Sequence, residues 1–163
     1  MKLMKHGSTL FLKSVISGIG IIVLAMCVFW FPHIGNGILR EFPGVSFELT
    51  PALFGLYGSA IPFFFALYQA LKLLSYVDKN KVFSELSVRA VKYIKYSGIA
   101  MSIFYAICLP LVYRIADIDD APGLVVMGMA FTMAPTVVAV FAAVVQNVLE
   151  SALDIKSEND LTV

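Results

Sequence analysis

Ser14 to Leu39, Leu49 to Leu71, Tyr96 to Tyr113 and Ala121 to Leu149 carry no formal charge, and polar segments separate them. A helix needs ~20 apolar residues to cross a hydrocarbon core about 30 Å thick, and each stretch reaches or nearly reaches that length. The pattern predicts an all-α membrane protein of four transmembrane helices in an antiparallel bundle, with spans at about 10–31, 52–74, 96–114 and 122–149. Lys2 and Lys5 precede the first apolar run as in a signal peptide. The run is too long, however, and exits through Trp30, Phe31 and Pro32, so an uncleaved first span is expected.

The connections differ in character. After span one, His33, Gly35, Asn36, Gly37, Pro43, Gly44 and Pro51 punctuate the chain densely enough to predict a loop. Val45, Phe47 and Leu49 alternate there with Ser46 and Glu48, the period of a short strand or an interfacial dip. The segment 75–95 holds a polar turn at Asp78–Lys81 and then Ser84, an N-cap followed by Glu85 at the positive helix end. Leu86, Ala90, Val91 and Ile94 fall on one face and Arg89 and Lys92 on another, which predicts a short amphipathic helix. Asp120 before Ala121 and Pro122 reads as the N-cap of span four. That span is expected to run about two turns past Leu149 into an acidic tail, 150–163.

Pro62 and Pro135 predict kinks rather than breaks, because neighbouring helices and the hydroxyls of Ser59, Thr132 and Thr136 can serve freed carbonyls. Gly55 and Ser59, like Ser14 and Gly18, are small residues four apart. That spacing suits close packing within one bundle or a homo-oligomer contact, and the former is favoured. Cys27 and Cys108 lie inside spans and read as packing residues.

Charge sets an orientation. Of the twelve Lys and Arg residues, all but Arg40 and Arg114 fall on the side of the N-terminus, so the positive-inside rule predicts both termini in the cytoplasm of a bacterial inner membrane. Composition agrees with a bilayer environment: 60% of residues are hydrophobic and 14% charged, against roughly 45–50% and 25% in soluble domains. A net charge of +1 without a basic run gives no reason to expect direct nucleic-acid binding.

Chemistry is sparse. No span centre holds an ionisable residue of the kind that couples transport to protons or sodium. There is no H-E-x-x-H, no G-x-S-x-G and no phosphate-cradling glycine loop, and His6 and His33 fall on opposite sides of the membrane. Asp117, Asp119 and Asp120 lack the spaced loop of a calcium site. No enzyme activity, cofactor or metal is expected. Ser59, Tyr57, Gln69, Ser102, Thr132, Thr136 and Gln146 read as interhelical hydrogen-bonding groups.

Three segments carry a resemblance: Lys79 to Ser84, the turn from Ala116 through Asp119 to Gly123, and the terminus Ile155 to Val163. With four spans and this length, the chain resembles the small bacterial membrane proteins grouped as domain of unknown function 2975. The resemblance implies a four-helix inner-membrane protein without an established biochemical activity. It also implies a regulatory partnership with a cytosolic helix-turn-helix regulator, since such regulators are often encoded beside family members. Besides the lipid bilayer, the expected partner is therefore a cytosolic protein. It would meet a cytoplasmic face formed by Phe83, Ser84, Arg89, Lys92, Lys95, Asp160, Leu161 and Val163. A small-solute channel, or an immunity protein against a membrane-active peptide, is the alternative.

Overall fold

Long helices dominate the computed structural model, which describes residues 2–161, with side chains from Gly7 onward. Thr162 and Val163 lie outside the described residues, as do the side chains of Lys2, Lys5 and His6. Helix α1 (Lys2–Ala25) passes through a π-helical turn (Met26–Trp30) into α2 (Phe31–Glu41), and a 3-10 turn (Pro43–Val45) leads to α3 (Ser46–Asp78). Helices α4 (Glu85–Ile118) and α5 (Pro122–Leu161) complete the chain. Four rods are long and apolar enough to cross a membrane: the one holding α1 and α2, then α3, α4 and α5. The protein is a multi-pass membrane protein with its spans antiparallel in chain order. Helix α4 packs along both α3 and α5, whereas α1 leans on α3, and no residue in its most apolar window is buried.

The connection after span one is helical, not a loop. Phe31, Gly35, Ile38 and Phe42 recur at helical spacing, and Ile38 and Phe42 pack on the buried cluster of Val45, Leu49, Ala52 and Leu111. Gly35 lies under Leu53. The strand reading fails for the same reason: Val45 and Leu49 are 0% and 5% exposed, but Phe47 is 88% exposed. A strand would turn all three to one side, while the i, i+4 pair belongs to a helix.

The π turn has an identifiable cause. Pro32 has no amide hydrogen, and its ring crowds the carbonyl one α-turn back, so the helix widens just before it. The Phe31 amide donates to Met26 O, and Pro32 has none to offer the Cys27 carbonyl that follows in the same register. The Tyr57 hydroxyl of α3 donates to that carbonyl instead, at 3.4 Å, with the Tyr57 ring edge-on to Phe31. This contact ties the first rod to the second, at the modest strength of a hydrogen bond inside a membrane bundle.

Helices α3 and α5 run unbroken through Pro62 and Pro135. The nearby hydroxyls do not serve the carbonyls those prolines free, at Gly58 and Phe131. Ser59 donates to Leu56 O (2.7 Å) and Thr132 to Gly128 O (2.9 Å), while Thr136 meets Ser102 of α4 at 2.7 Å. Glycines bring the rods close. A Cβ on Gly55 would stand 2.6 Å from Phe104 O, and one on Gly98 2.7 Å from Pro135 O. The Gly55/Ser59 pair thus works within the bundle, while Gly18 faces open space.

Both turns at the ends of α3 and α4 are built alike. Lys81 N donates to Tyr76 O and Asn80 N to Val77 O, and Ala121 N donates to Ala116 O. Asn80 and Asp120 take left-handed backbone at φ 54° and 48°. These are Schellman closures, which favour Gly or Asn at that position. Asp120 therefore closes α4 and does not cap α5, correcting the N-cap expectation. Ser84 does cap α4, accepting from Ser87 N at 3.4 Å.

Candidate functional site

The lysine-rich end of the bundle is where α4 and α5 outlast the apolar core. The expected amphipathic helix is no separate element: residues from Glu85 onward run without interruption into span three. Ala90 and Val91 are buried, and Val91 packs on α5 in one cluster with Ala142 and Leu149. Helix α5 likewise continues through Leu161, where an acidic tail was expected after two turns. Beyond the uncharged run, Glu150, Asp154 and Ser157 keep helical spacing along one face.

Two networks tie this end together. Lys95 donates to Gln146 Oε1 (2.9 Å) and lies over the Tyr96 ring (4.9 Å), while Gln146 Nε2 donates to Glu150 Oε1 (2.8 Å). On the other side of the bundle, Lys13 of α1 pairs with Asp78 at the end of α3, and Thr9 donates to the same carboxylate. Lys13 thus has a carboxylate partner on the neighbouring rod.

Between α4 and α5 lies an open cleft of about 620 Å³. Glu85, Arg89 and Lys92 line it from α4, and Glu150 and Asp154 from α5. No ion pair within 4.0 Å joins these two charged walls; among the described residues such pairs are Lys13–Asp78, Arg114–Glu48 and Arg114–Asp117. Tyr93 borders the cleft and also borders a second hollow of about 320 Å³ along α3 and α4, lined by apolar residues from Ile61 and Phe65 to Phe104. Beyond the cleft, Phe83 meets Ala152 and Ile155 around a shallow recess. Phe83, Ile155 and Leu161 are 55%, 64% and 85% exposed.

The expected face is therefore divided. Arg89 and Lys92 share the cleft, Lys95 is engaged with Gln146, and Ser84 is committed to capping. Phe83 sits at the recess, Asp160 and Leu161 are exposed at the α5 tip, and Val163 lies outside the described residues. The sequence reading missed Tyr93, Glu150 and Asp154 as site residues, although the i, i+4 spacing of the two carboxylates was a usable signal.

At the opposite end, Arg114 Nε stands 3.5 Å from Glu48 Oε1 and its Nη1 3.8 Å from Asp117. Glu48 Oε2 is enclosed without a hydrogen-bond partner. Among the described residues no group of three or more His, Cys, Asp or Glu side chains could hold a metal ion. Both cysteines are free thiols, and Cys108 lies against Ala52 O at 3.3 Å.

Residues 33–163 match the family described as "Protein of unknown function (DUF2975)". A Bacillus subtilis (strain 168) protein named "Uncharacterized membrane protein YoaS" is 54% identical over 160 residues, covering 98% of this chain and 100% of the relative. No solved structure matches.

Proposed function

The chain belongs to the DUF2975 family of membrane proteins of unknown function, and we propose that it is a non-enzymatic protein of the bacterial inner membrane that binds a cytosolic protein partner. In this reading both termini are cytoplasmic, because the lysine-rich end is the one retained inside by the positive-inside rule. One observation carries the binding role. Ile155 and Leu161 are exposed apolar side chains about 9 and 18 Å past the last residue of the uncharged run on α5, whereas a headgroup layer is only about 5–8 Å deep. They stand in water, and Ile155 joins Phe83 and Ala152 in a contiguous apolar patch, the kind of surface that marks an interaction site. Phe83 lies beside Ile155 with Lys156 on the same recess, and Asp154, Glu158 and Asp160 outnumber that lysine along the α5 tip, so the surface fits a partner with an apolar recess rimmed mainly by basic side chains. A basic helix-turn-helix regulator, which the family resemblance implies, meets that description.

Gly55 and Gly98 bring α3 and α5 each into close contact with α4, tight packing that favours this reading over a channel along either of these seams. The test has two parts. In a Cys27→Ser/Cys108→Ser background, Ser157→Cys should react with a membrane-impermeant maleimide in inverted vesicles but not in intact spheroplasts; the reverse pattern removes the orientation. A photo-crosslinking residue at Leu161 should give a discrete protein adduct in cells that one at Phe47 does not. Equal yields from the two positions remove the partner.

A further inference from the structure

We propose that the cleft between α4 and α5, together with the apolar hollow that meets it at Tyr93, is a binding site for an ethanolamine phospholipid. This goes beyond the partner-binding role and does not depend on it. Three observations converge. The first is charge: Arg89 and Lys92, on a wall that also carries Glu85, stand opposite Glu150 and Asp154, with no ion pair within 4.0 Å across the cleft. Such walls suit a zwitterion whose phosphate lies on the guanidinium and ammonium groups and whose primary ammonium donates to the carboxylates. A purely anionic ligand would meet the carboxylates, and a choline group has no N–H to give them.

The second is depth. Tyr96 opens the uncharged run of α4 and Leu149 closes that of α5, so Lys92, Tyr93 and Glu150 sit within a turn of the apolar boundary, at headgroup level. Tyr93 and Tyr96 are both exposed there, as expected of interfacial aromatics.

The third is continuity. From Tyr93, which packs edge-on against Phe65 (5.6 Å), the apolar hollow follows α4 up to Phe104. That is about 16 Å of helix, close to the thickness of one leaflet of a core about 30 Å thick. The charged cleft and the apolar hollow thus reproduce the two parts of a phospholipid, joined at one tyrosine.

Native mass spectrometry of the full chain in detergent tests this, using phosphatidylethanolamine, phosphatidylcholine and phosphatidylglycerol with identical acyl chains. The wild-type protein should retain the ethanolamine lipid about 10-fold more tightly than the other two, the factor for one charge-assisted hydrogen bond. Equal retention of ethanolamine and choline lipids overturns the proposal without any variant. Glu150→Gln/Asp154→Asn should abolish that preference, and Arg89→Gln/Lys92→Gln should weaken retention of the ethanolamine lipid; Lys79→Gln/Lys81→Gln, away from the cleft, should do neither. A preference that survives the carboxylate substitutions reduces the site to a basic patch and refutes the assignment. Soluble phosphoethanolamine should compete at least 10-fold less well than the lipid, and Ala100→Trp, which fills the hollow, should weaken only the lipid. Equal competition by the soluble headgroup rules out the acyl groove.

Discussion

Replacing Gly55 by alanine should destabilise the bundle, and the structure indicates by how much. The added methyl would stand 2.6 Å from the Phe104 carbonyl oxygen and 3.0 Å from Cys108 Sγ, where ordinary contact begins at 3.4 Å. The oxygen belongs to the backbone of α4 and cannot rotate away, so α3 and α4 must part by about 0.8 Å locally, from the difference 3.4 − 2.6. A gap of 0.5–1 Å forfeits roughly a quarter to a half of each dispersion contact across it. The seam affected includes Leu49, Ala52 and Leu111, together with the contact of Cys108 Sγ with Ala52 O. Overpacking of this kind costs about 1–3 kcal/mol, and the better helix propensity of alanine returns up to about 1. The net loss should be about 1–2 kcal/mol.

Gly18→Ala supplies the control, because nothing lies within 4 Å of the added carbon. It should be neutral or stabilising by up to about 1 kcal/mol. Reversible unfolding in mixed micelles, followed by far-UV circular dichroism, would rank Gly18→Ala at or above wild type and Gly55→Ala below it. If the two variants unfold together, the close approach of α3 and α4 is not what holds this seam.

Three further outcomes are expected. Tyr57→Phe should cost about 0.6 kcal/mol, the mean for a hydrogen bond inside a membrane bundle; in a Pro32→Ala background, where an amide can serve Cys27 O, the cost should vanish, so a double-mutant cycle without coupling would refute the explanation of the π turn. Ser84→Ala should lower stability by about 1 kcal/mol and speed hydrogen exchange at Ser87 and Val88, leaving amides near Gly98 unchanged. Asp120→Gly should stabilise by up to about 1 kcal/mol by relieving the left-handed backbone, a gain that thermal unfolding would register and that glycine at Asp119 should not reproduce.

The four spans were legible because a long uncharged run has few uses outside a bilayer, and Ser84 was legible because an N-cap is decided locally. The region from Phe31 to Leu49 misled for a physical reason. Its glycines and prolines carry helix penalties appropriate to water, whereas here Pro32 falls in a first turn, Pro43 initiates a 3-10 turn, and Gly35 gains a contact with Leu53. Asp120 misled because a carboxylate before Ala-Pro suits a cap equally with a left-handed closure, and only the Ala121 to Ala116 bond distinguishes them. Arg89 and Lys92 were visible as site residues from their shared face. Glu150 and Asp154 were not, because their significance depends on which helix lies opposite, and pairing between α4 and α5 is a tertiary fact.

Each membrane-spanning rod packs on its neighbours in chain order, the first against the second, the second against the third and the third against the fourth. A nascent chain with this neighbour relation can assemble vectorially. Every newly inserted segment finds its docking surface already in the bilayer, and no early segment must wait for the last one to emerge.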